Sequence, residues 1–307
     1  AYGSNFPLDI VSGLLQKNKV SLRFQAGKFM NKFLEKSFVS FTFIFMLSIS
    51  SCKFGLYQFL FNEESVESRA DEIKILQADQ IPSFTESKYS FALFTDAHVG
   101  SEDFGKCDDK FLAWISKQFE NPDETKRPKF LVSLGDNMHT GREDSKYNSF
   151  LDRIKELAQE KNGVSNFKTY SIMGNHDLYN NGWERFKSNI FPYTSSYCFT
   201  DGTFSYYFLD DANNTFGQSQ RDAMESAFKQ DAKPKIIFIH CPIYIDARDL
   251  LSIIFKLQDT MERNWILTLF AKNNVKQIFS GHVHSRFKTD YGKFREEAGR
   301  LVLTIYA

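Results

Sequence analysis

Short continuous apolar runs, each closed by a polar or glycine-containing block, recur through the latter two thirds of this chain. Phe91-Ala-Leu-Phe leads into Asp96, Phe130-Leu-Val-Ser-Leu into Asp136, Tyr170-Ser-Ile-Met into Asn175, Ile236-Ile-Phe-Ile into His240, and Gln277-Ile-Phe-Ser into His282. Runs of this length with Gly or polar boundaries predict strands buried on both faces. Between them, Asp108 to Phe119, Lys146 to Gln159, Gln220 to Lys229 and Met261 to Lys272 space their apolar residues near three and four, as in Phe111, Leu112, Ile115 and Phe119. That spacing predicts helices packed on sheets. Phe204 to Leu209 and Leu301 to Tyr306 are further strand candidates. The result is an α/β body in one domain, residues 88–307. Its polar blocks sit just past the carboxyl ends of strands, where loops can converge while the sheet stays rigid.

The pattern changes ahead of residue 88. From Met30 the chain runs Met-Asn-Lys-Phe-Leu-Glu-Lys, then an apolar stretch from Phe38 to Ile49, then Ser50-Ser51-Cys52. A basic segment, an apolar segment and small residues are the layout of an export signal over residues 30–51. Ser-Ser-Cys also resembles a bacterial lipobox, which makes Cys52 the candidate lipidation site and places the body on the outer face of a bacterial membrane. The alternative is an uncleaved anchor over Phe38 to Phe61, although its uninterrupted apolar part is shorter than the roughly 20 residues a span needs. With the lipobox, Met30 is the natural start and residues 1–29 read as an upstream non-native or unstructured extension outside the working domain. Residues 52–87, rich in Glu, Ser, Asp and Gln around Pro82, read as a tether with a helical portion near Asp71 to Ala78.

Composition narrows the partners. The 307 residues are 42% hydrophobic and 16% aromatic, ample for a buried core. Lys plus Arg and Asp plus Glu both number 38, and residues 1–51 hold six of the bases and two of the acids, leaving 32 and 36 in the rest. A body with a net charge of −4 on that count lacks the clustered Lys and Arg that displace counterions from duplex nucleic acid. The four cysteines, Cys52, Cys107, Cys198 and Cys241, show neither CxxC nor zinc-ribbon spacing.

The histidines carry the chemistry. All six lie in short blocks with Asp, Asn, Gly or Pro: Asp96-Ala-His98, Gly135-Asp136-Asn-Met-His139, Gly174-Asn175-His176-Asp177, His240-Cys-Pro and Gly281-His282-Val-His284. Any one block is common in turns and strand ends. Five in this order, each after a strand-like run, suit a two-metal hydrolytic site. Hydrolysing a phosphate ester requires a nucleophile at neutral pH and a means of offsetting charge on the phosphoryl oxygens; two nearby cations supply both. Two such cations repel each other, so a carboxylate between them is expected, with neutral imidazoles completing the shells. In an extended segment the side chains of His282 and His284 share a face and can address neighbouring ions.

These blocks resemble the calcineurin-like metallophosphoesterase superfamily, whose ordered signature is D-x-H, G-D, G-N-H-D/E, H and G-H-x-H. The resemblance implies a four-layer α-β-β-α sandwich of two mixed sheets flanked by helices. It implies that Asp96, His98, Asp136 and His284 hold one metal and Asp136, Asn175, His240 and His282 a second, with Asp136 as the bridge and a metal-bridging hydroxide as nucleophile. Mixed N/O ligation suits two divalent or mixed-valence ions of Mn, Fe or Zn. His176 is then the catalytic residue that reaches substrate, a phosphomonoester or phosphodiester, with Asp177 as its orienting carboxylate or as a helix cap. Arg142 and Arg286 are candidate phosphate contacts or surface charges. Purple acid phosphatases resemble the chain at His240-Cys-Pro-Ile-Tyr244, but they carry a metal-bound tyrosine where this chain has His139. That histidine is left to contact substrate, support a neighbouring ligand or cap the following turn. The rival to an enzyme is a catalytically silent, membrane-tethered binding module on the same fold.

Overall fold

A computed structural model describes residues 64–245, 256–284, 286–298 and 301–306. In chain order the helices are α1 (Val66–Arg69), α2 (Phe104–Phe119), α3 (Asp144–Asn162), α4 (Asn175–Leu178), α5 (Gly182–Asn189), α6 (Gly217–Gln230) and α7 (Thr260–Lys272). The strands are β1 (Lys74–Ile75), β2 (Lys88–Phe94), β3 (Pro128–Ser133), β4 (Lys168–Ser171), β5 (Tyr197–Thr200), β6 (Ser205–Phe208), β7 (Lys235–Phe238), β8 (Val275–Ser280), β9 (Phe287–Asp290), β10 (Arg295–Ala298) and β11 (Leu301–Tyr306).

They form a four-stranded sheet ordered β11-β2-β3-β4 and a seven-stranded sheet ordered β1-β5-β6-β7-β8-β10-β9. Strands β2, β3 and β4 are mutually parallel, as are β6, β7, β8 and β10, while β11, β5 and β9 pair antiparallel with their neighbours β2, β6 and β10.

Side chains alternate across each strand, and here both faces are apolar. Phe91, Leu93, Phe130 and Val132 of the smaller sheet meet Tyr206, Phe208, Ile236 and Phe238 of the larger one in a central core. On the outer face of the smaller sheet, Ala92, Phe94 and Leu131 pack on Leu112 and Ile115 of α2 and Tyr147, Phe150 and Ile154 of α3. On the outer face of the larger sheet, Tyr207, Ile237 and Ile278 pack on Met224 and Phe228 of α6 and Ile266 and Phe270 of α7. Three cores separated by two sheets give the helix–sheet–sheet–helix order that the resemblance implies. The central core is largely rings, with Phe91 and Phe130 stacked at 4.9 Å and Phe208 and Phe238 at 4.5 Å.

The segment read as a tether is a correction. From residue 64 onward it belongs to the body: Val66, Ala70 and Leu76 are buried, and β1 extends the larger sheet by pairing with β5 where a helix was expected. Glu67 accepts the amides of Gln218 (2.6 Å) and Ser219 (2.9 Å), capping α6, whose own N-cap residue Phe216 has no side-chain acceptor. Arg69 forms a fully buried fork to Asp210 at 2.9 and 3.0 Å. No helix among the described residues is long and apolar enough to cross a membrane. The signal segment, the alternative span, Cys52 and residues 1–29 lie outside the described residues.

Candidate metal centre and active site

The five blocks converge because their strands are parallel within each sheet, so that β2, β3 and β4 and β7 and β8 end on the same edge. Pairing continues past the strands: His98 N–H donates to the Asp136 carbonyl (2.9 Å), Val99 to Asn137 (3.0 Å) and Gly281 to His240 (2.8 Å). Turning the side chains inward from these short loops requires unusual backbone. Asp96, His98, Asp136, His282 and His284 all have positive φ, between 46° and 68°. Such left-handed conformations are uncommon outside glycine and collect at functional sites, where the surroundings over-determine them. Gly174 and Gly281 allow the loops to interlock; a Cβ on Gly174 would collide with the Asp136 backbone and carboxylate, and one on Gly281 with the Thr95 hydroxyl.

Three donor groups result, one of Asp96, His98, Asp136 and His284, one of Asp136, His240 and His282, and one of His98, His139 and His176 at the open side; the first two share an aspartate. Asp136 joins them. Its Oδ2 lies 3.7 Å from His98 Nε2 and its Oδ1 3.5 Å from His240 Nε2. Asn175 Oδ1 stands 3.2 Å from His240 Nε2, and its amide nitrogen donates to the Tyr179 hydroxyl at 3.2 Å, which turns the oxygen inward. His282 Nδ1 is 3.1 Å from His240 Nε2, and His98 Nε2 is 3.2 Å from His284 Nε2.

The chemistry of these atoms tests whether cations fit. His240 Nδ1–H donates to the Leu134 carbonyl at 2.8 Å, which leaves Nε2 as a lone pair aimed at Asn175 Oδ1, another acceptor. Burial holds His240 below its ordinary range, and burial with neighbouring imidazoles drives His98 to about 3 and His282 to about 2. At His240 a neutral ring thus sets acceptor against acceptor at hydrogen-bond distance, an arrangement that repels unless a positive ion lies between. The set fits two cations, with Asp96, His98, Asp136 and His284 to hold one and Asp136, Asn175, His240 and His282 the other.

A ring of buried groups fixes the ligands. Asp96 accepts the Thr95 hydroxyl (2.5 Å) and the His282 amide (3.0 and 3.1 Å), tying β2's loop to β8's. Asp211, fully buried, accepts the amides of His240 (2.8 Å) and Cys241 (3.0 Å). Glu296 accepts Ser280 Oγ (2.8 Å), the Ile243 amide (3.1 Å) and Tyr291 Oη (2.7 Å). None of Thr95, Asp211, Tyr179 or Glu296 was anticipated. Asp211 had a signal, since Leu209-Asp210-Asp211 closes the apolar run of β6 just as the other blocks close theirs.

His176 lies at the open side, its backbone N–H on Asp136 Oδ1 (2.8 Å) and its Nδ1 2.8 Å from the His139 carbonyl. That contact requires Nδ1–H, so Nε2 is the nitrogen left for a ligand. The orienting group is therefore the His139 carbonyl, and of the two roles expected for Asp177 it takes the helix cap, accepting the N-cap amide of α4, and not the orienting one. Asp177 is fully buried, and its oxygens accept the amides of Gly174 (2.9 Å), Asn137 (3.2 Å) and Met138 (2.8 Å) and the Asn137 side chain (2.8 Å), knitting two loops together. The imidazole of His139 is exposed, with ring centroids 5.9 Å from His98 and 5.6 Å from His176. Arg286 lines the cavity over the cluster, whereas Arg142 lines a separate polar cavity with Asn180, Glu184 and Arg185. Cys241 is fully buried, which pushes its thiol well up, as a packing residue's should be.

The buried carboxyls have a consequence for stability. Burial raises Asp136, Asp177 and Glu296 to about 7 each, against roughly 4 in an unfolded chain. The folded chain holds more protons between those values, so without metal its stability falls as pH rises through them. The imidazoles of His98, His240 and His282, held neutral by burial, work the other way below their ordinary 6.5, so the window in which the carboxyls decide lies above it: the metal-free protein is expected to melt lower at pH 8 than at pH 6.5, and added Mn²⁺ to recover more at pH 8. A melting temperature that climbs from pH 6.5 to 8 without metal would refute this.

A helix–sheet–sheet–helix sandwich with an aspartate shared by two imidazole-rich donor sets at its strand ends defines a dinuclear metallohydrolase. The family model for calcineurin-like phosphoesterases matches residues 89–286, more than half of the chain. The chain belongs to that family and is a metal-dependent phosphoric ester hydrolase. Among solved structures it is similar to a dimetal phosphatase from Danio rerio, with 13% identity, a TM-score of 0.51, and coverage of 71% of this chain and 87% of that one. It is also similar to the purple acid phosphatase PPD1 from yellow lupin seeds, with 16% identity, a TM-score of 0.53, and coverage of 71% of this chain and 45% of that one. At these identities the likeness is one of fold. No curated protein matches the chain.

Proposed function

We propose that the chain hydrolyses a phosphomonoester or phosphodiester at this centre, with His176 as the proton donor to the leaving alkoxide. The observation that carries the reading is Asp136, buried between the two donor sets with one oxygen toward each. Two bound cations of Mn, Fe or Zn would acidify a water and offset charge on the phosphoryl oxygens. The chain's own residues do the remainder. Asp96, Asp136 and the His240 ring are held by their own partners before substrate arrives, so little reorganisation accompanies reaction at these groups. His176, anchored at Nδ1 by the His139 carbonyl, presents Nε2 to the ester oxygen. The complete donor set favours this reading over a silent binding module.

His176→Ala is expected to lower kcat for p-nitrophenyl phosphate and its bis ester by about 10² to 10⁴ while metal stoichiometry stays at two. The loss should be smaller for p-nitrophenyl esters than for alkyl esters, because a good leaving group needs less protonation. Equal losses on both would remove His176 from the proton-donor role.

We further propose that the body is held at the outer face of a bacterial membrane by a lipidated Cys52, or by the uncleaved apolar segment itself. The Met30 to Cys52 pattern supports this. Intact mass of the native membrane fraction distinguishes a chain acylated at Cys52 from an unmodified chain that starts upstream, and the latter would end the lipoprotein reading.

A further inference from the structure

The cavity over the cluster, about 670 Å³, has walls of opposite character. On one side stand Asp96, His98, His139, His176 and His284; the other is Phe94, Phe104, Phe111 and Phe150. The aromatic wall is a packed unit. Phe94 and Phe111 lie 5.1 Å apart, Phe104 and Phe150 meet edge-on at 5.2 Å, and Phe111 and Phe150 are 5.6 Å apart. Phe94 and Phe150 are buried in the protein core, while Phe104 and Phe111 are half-buried.

Helix α2 explains the wall. Its buried face is Leu112, Ile115 and Phe119, and toward the N-terminus the positions 104, 107, 108 and 111, at helical spacing, line the cavity, with Phe104 and Phe111 packed against the edge of the core on their other side. Two phenylalanines are thereby kept partly wet beside a charged centre, which costs hydrophobic stabilisation that full burial would have gained. The charges that this helix brings to the cavity do not suit a second anion: they are Asp103, Asp108 and Lys110, with Asp103 paired to Lys106 and Asp108 to Arg153, each at 3.1 Å.

We propose that this wall receives the alcohol of the ester, and that the preferred substrates are phosphate esters of apolar alcohols, alkyl or aryl, rather than esters bearing further phosphate or carboxylate groups. The inference rests on the phosphoesterase reading of the cluster and extends it to the leaving group. The phosphoryl group sits against the histidines, and the chain or ring of the alcohol lies on Phe104 and Phe111 under α2. Burial there favours each methylene by about fourfold in kcat/KM.

Ethyl, butyl and hexyl phosphates test this on the Mn-loaded full chain, because their alcohols share nearly one pKa and differ only in apolar area. kcat/KM is expected to rise at least thirtyfold from ethyl to hexyl, with 3-phosphoglycerate below ethyl phosphate, and Phe104→Ser and the milder Phe111→Leu to flatten the slope. A second readout does not need turnover. Cys107 is exposed and lines the same cavity, so hexylphosphonate, whose C–P bond resists hydrolysis, should slow its alkylation by iodoacetamide more than ethylphosphonate or inorganic phosphate does. Turnover of all three esters at one rate, with equal protection by all three anions, would overturn the proposal. If neither these esters nor bis-p-nitrophenyl phosphate is turned over but protection still grows with chain length, the apolar site stands and the hydrolytic reading fails; absence of graded protection in that case overturns both.

Discussion

Asp136→Asn is expected to lower kcat/KM for p-nitrophenyl phosphate on the order of 10³-fold or more while raising the stability of the metal-free protein. The two effects share one cause. The substitution keeps the volume and the Oδ1 that accepts the His176 amide at 2.8 Å, but it removes the negative charge between the donor sets. Two cations that shared that charge now repel, and the charge stabilisation they give the phosphoryl oxygens is worth several kcal/mol, at about 1.4 kcal/mol per tenfold in rate. Without metal the balance reverses. Burial already holds the Asp136 carboxyl up to about 7, so at pH 8 the folded wild-type chain carries a desolvated charge that asparagine spares it. Metal analysis should fall from two ions to one or none, and the apo melting temperature should rise. Undiminished turnover with two ions bound would remove Asp136 from the centre, and an apo form destabilised at pH 8 would refute the electrostatic account.

That trade-off explains why the centre was legible in the sequence while its supports were not. Chemistry fixed the residue types at the ligand positions, and strand ends fixed their spacing, so Asp96, His98, Asp136, Asn175, His240, His282 and His284 stood out as blocks after apolar runs. The strands and helices that place them carry the same local signal, with helices α2, α3, α6 and α7 each starting slightly earlier than their apolar spacing showed. The supports work through partners distant in sequence. Asp211 reaches His240 across 29 positions and Asp177 reaches Asn137 across 40. Strand β10 reads Arg-Glu-Glu-Ala, with no apolar alternation, because its buried Glu296 is satisfied by Ser280, Ile243 and Tyr291 rather than by packing. Asp177 caps α4, one of its two expected roles, but does not orient His176, for the same reason: adjacency to His176 in sequence said nothing about which amides would fill its oxygens.

Residues 64–76 are the largest instance, and they carry the second strong expectation. A chain that begins at residue 88, one residue ahead of the family match, is expected to be insoluble or molten, whereas one that begins at residue 60 should fold and turn over ester. Scattered Val66, Ala70 and Leu76 resemble a tether's composition, yet the segment supplies a sheet strand, the cap of α6 and the only basic partner of Asp210 among the described contacts. Arg69 isolates the last of these. Both side chains of the pair are wholly removed from solvent, so Arg69→Met leaves Asp210 buried and uncompensated, beside the Asp211 that fixes the His240 backbone. Removing one partner of a buried pair costs about 3–5 kcal/mol, a large share of the roughly 5–15 kcal/mol that holds a domain folded, and in a body of this size it lowers the melting temperature by about 6–20 °C. Arg69→Met with Asp210→Leu should lose less than Arg69→Met alone, since the stranded charge is then gone. A double variant as unstable as the single one would show that Arg69 acts through its packing and its guanidinium's bond to the Glu64 carbonyl rather than through Asp210. A fully active chain starting at residue 88 would return the whole segment to the status of a tether.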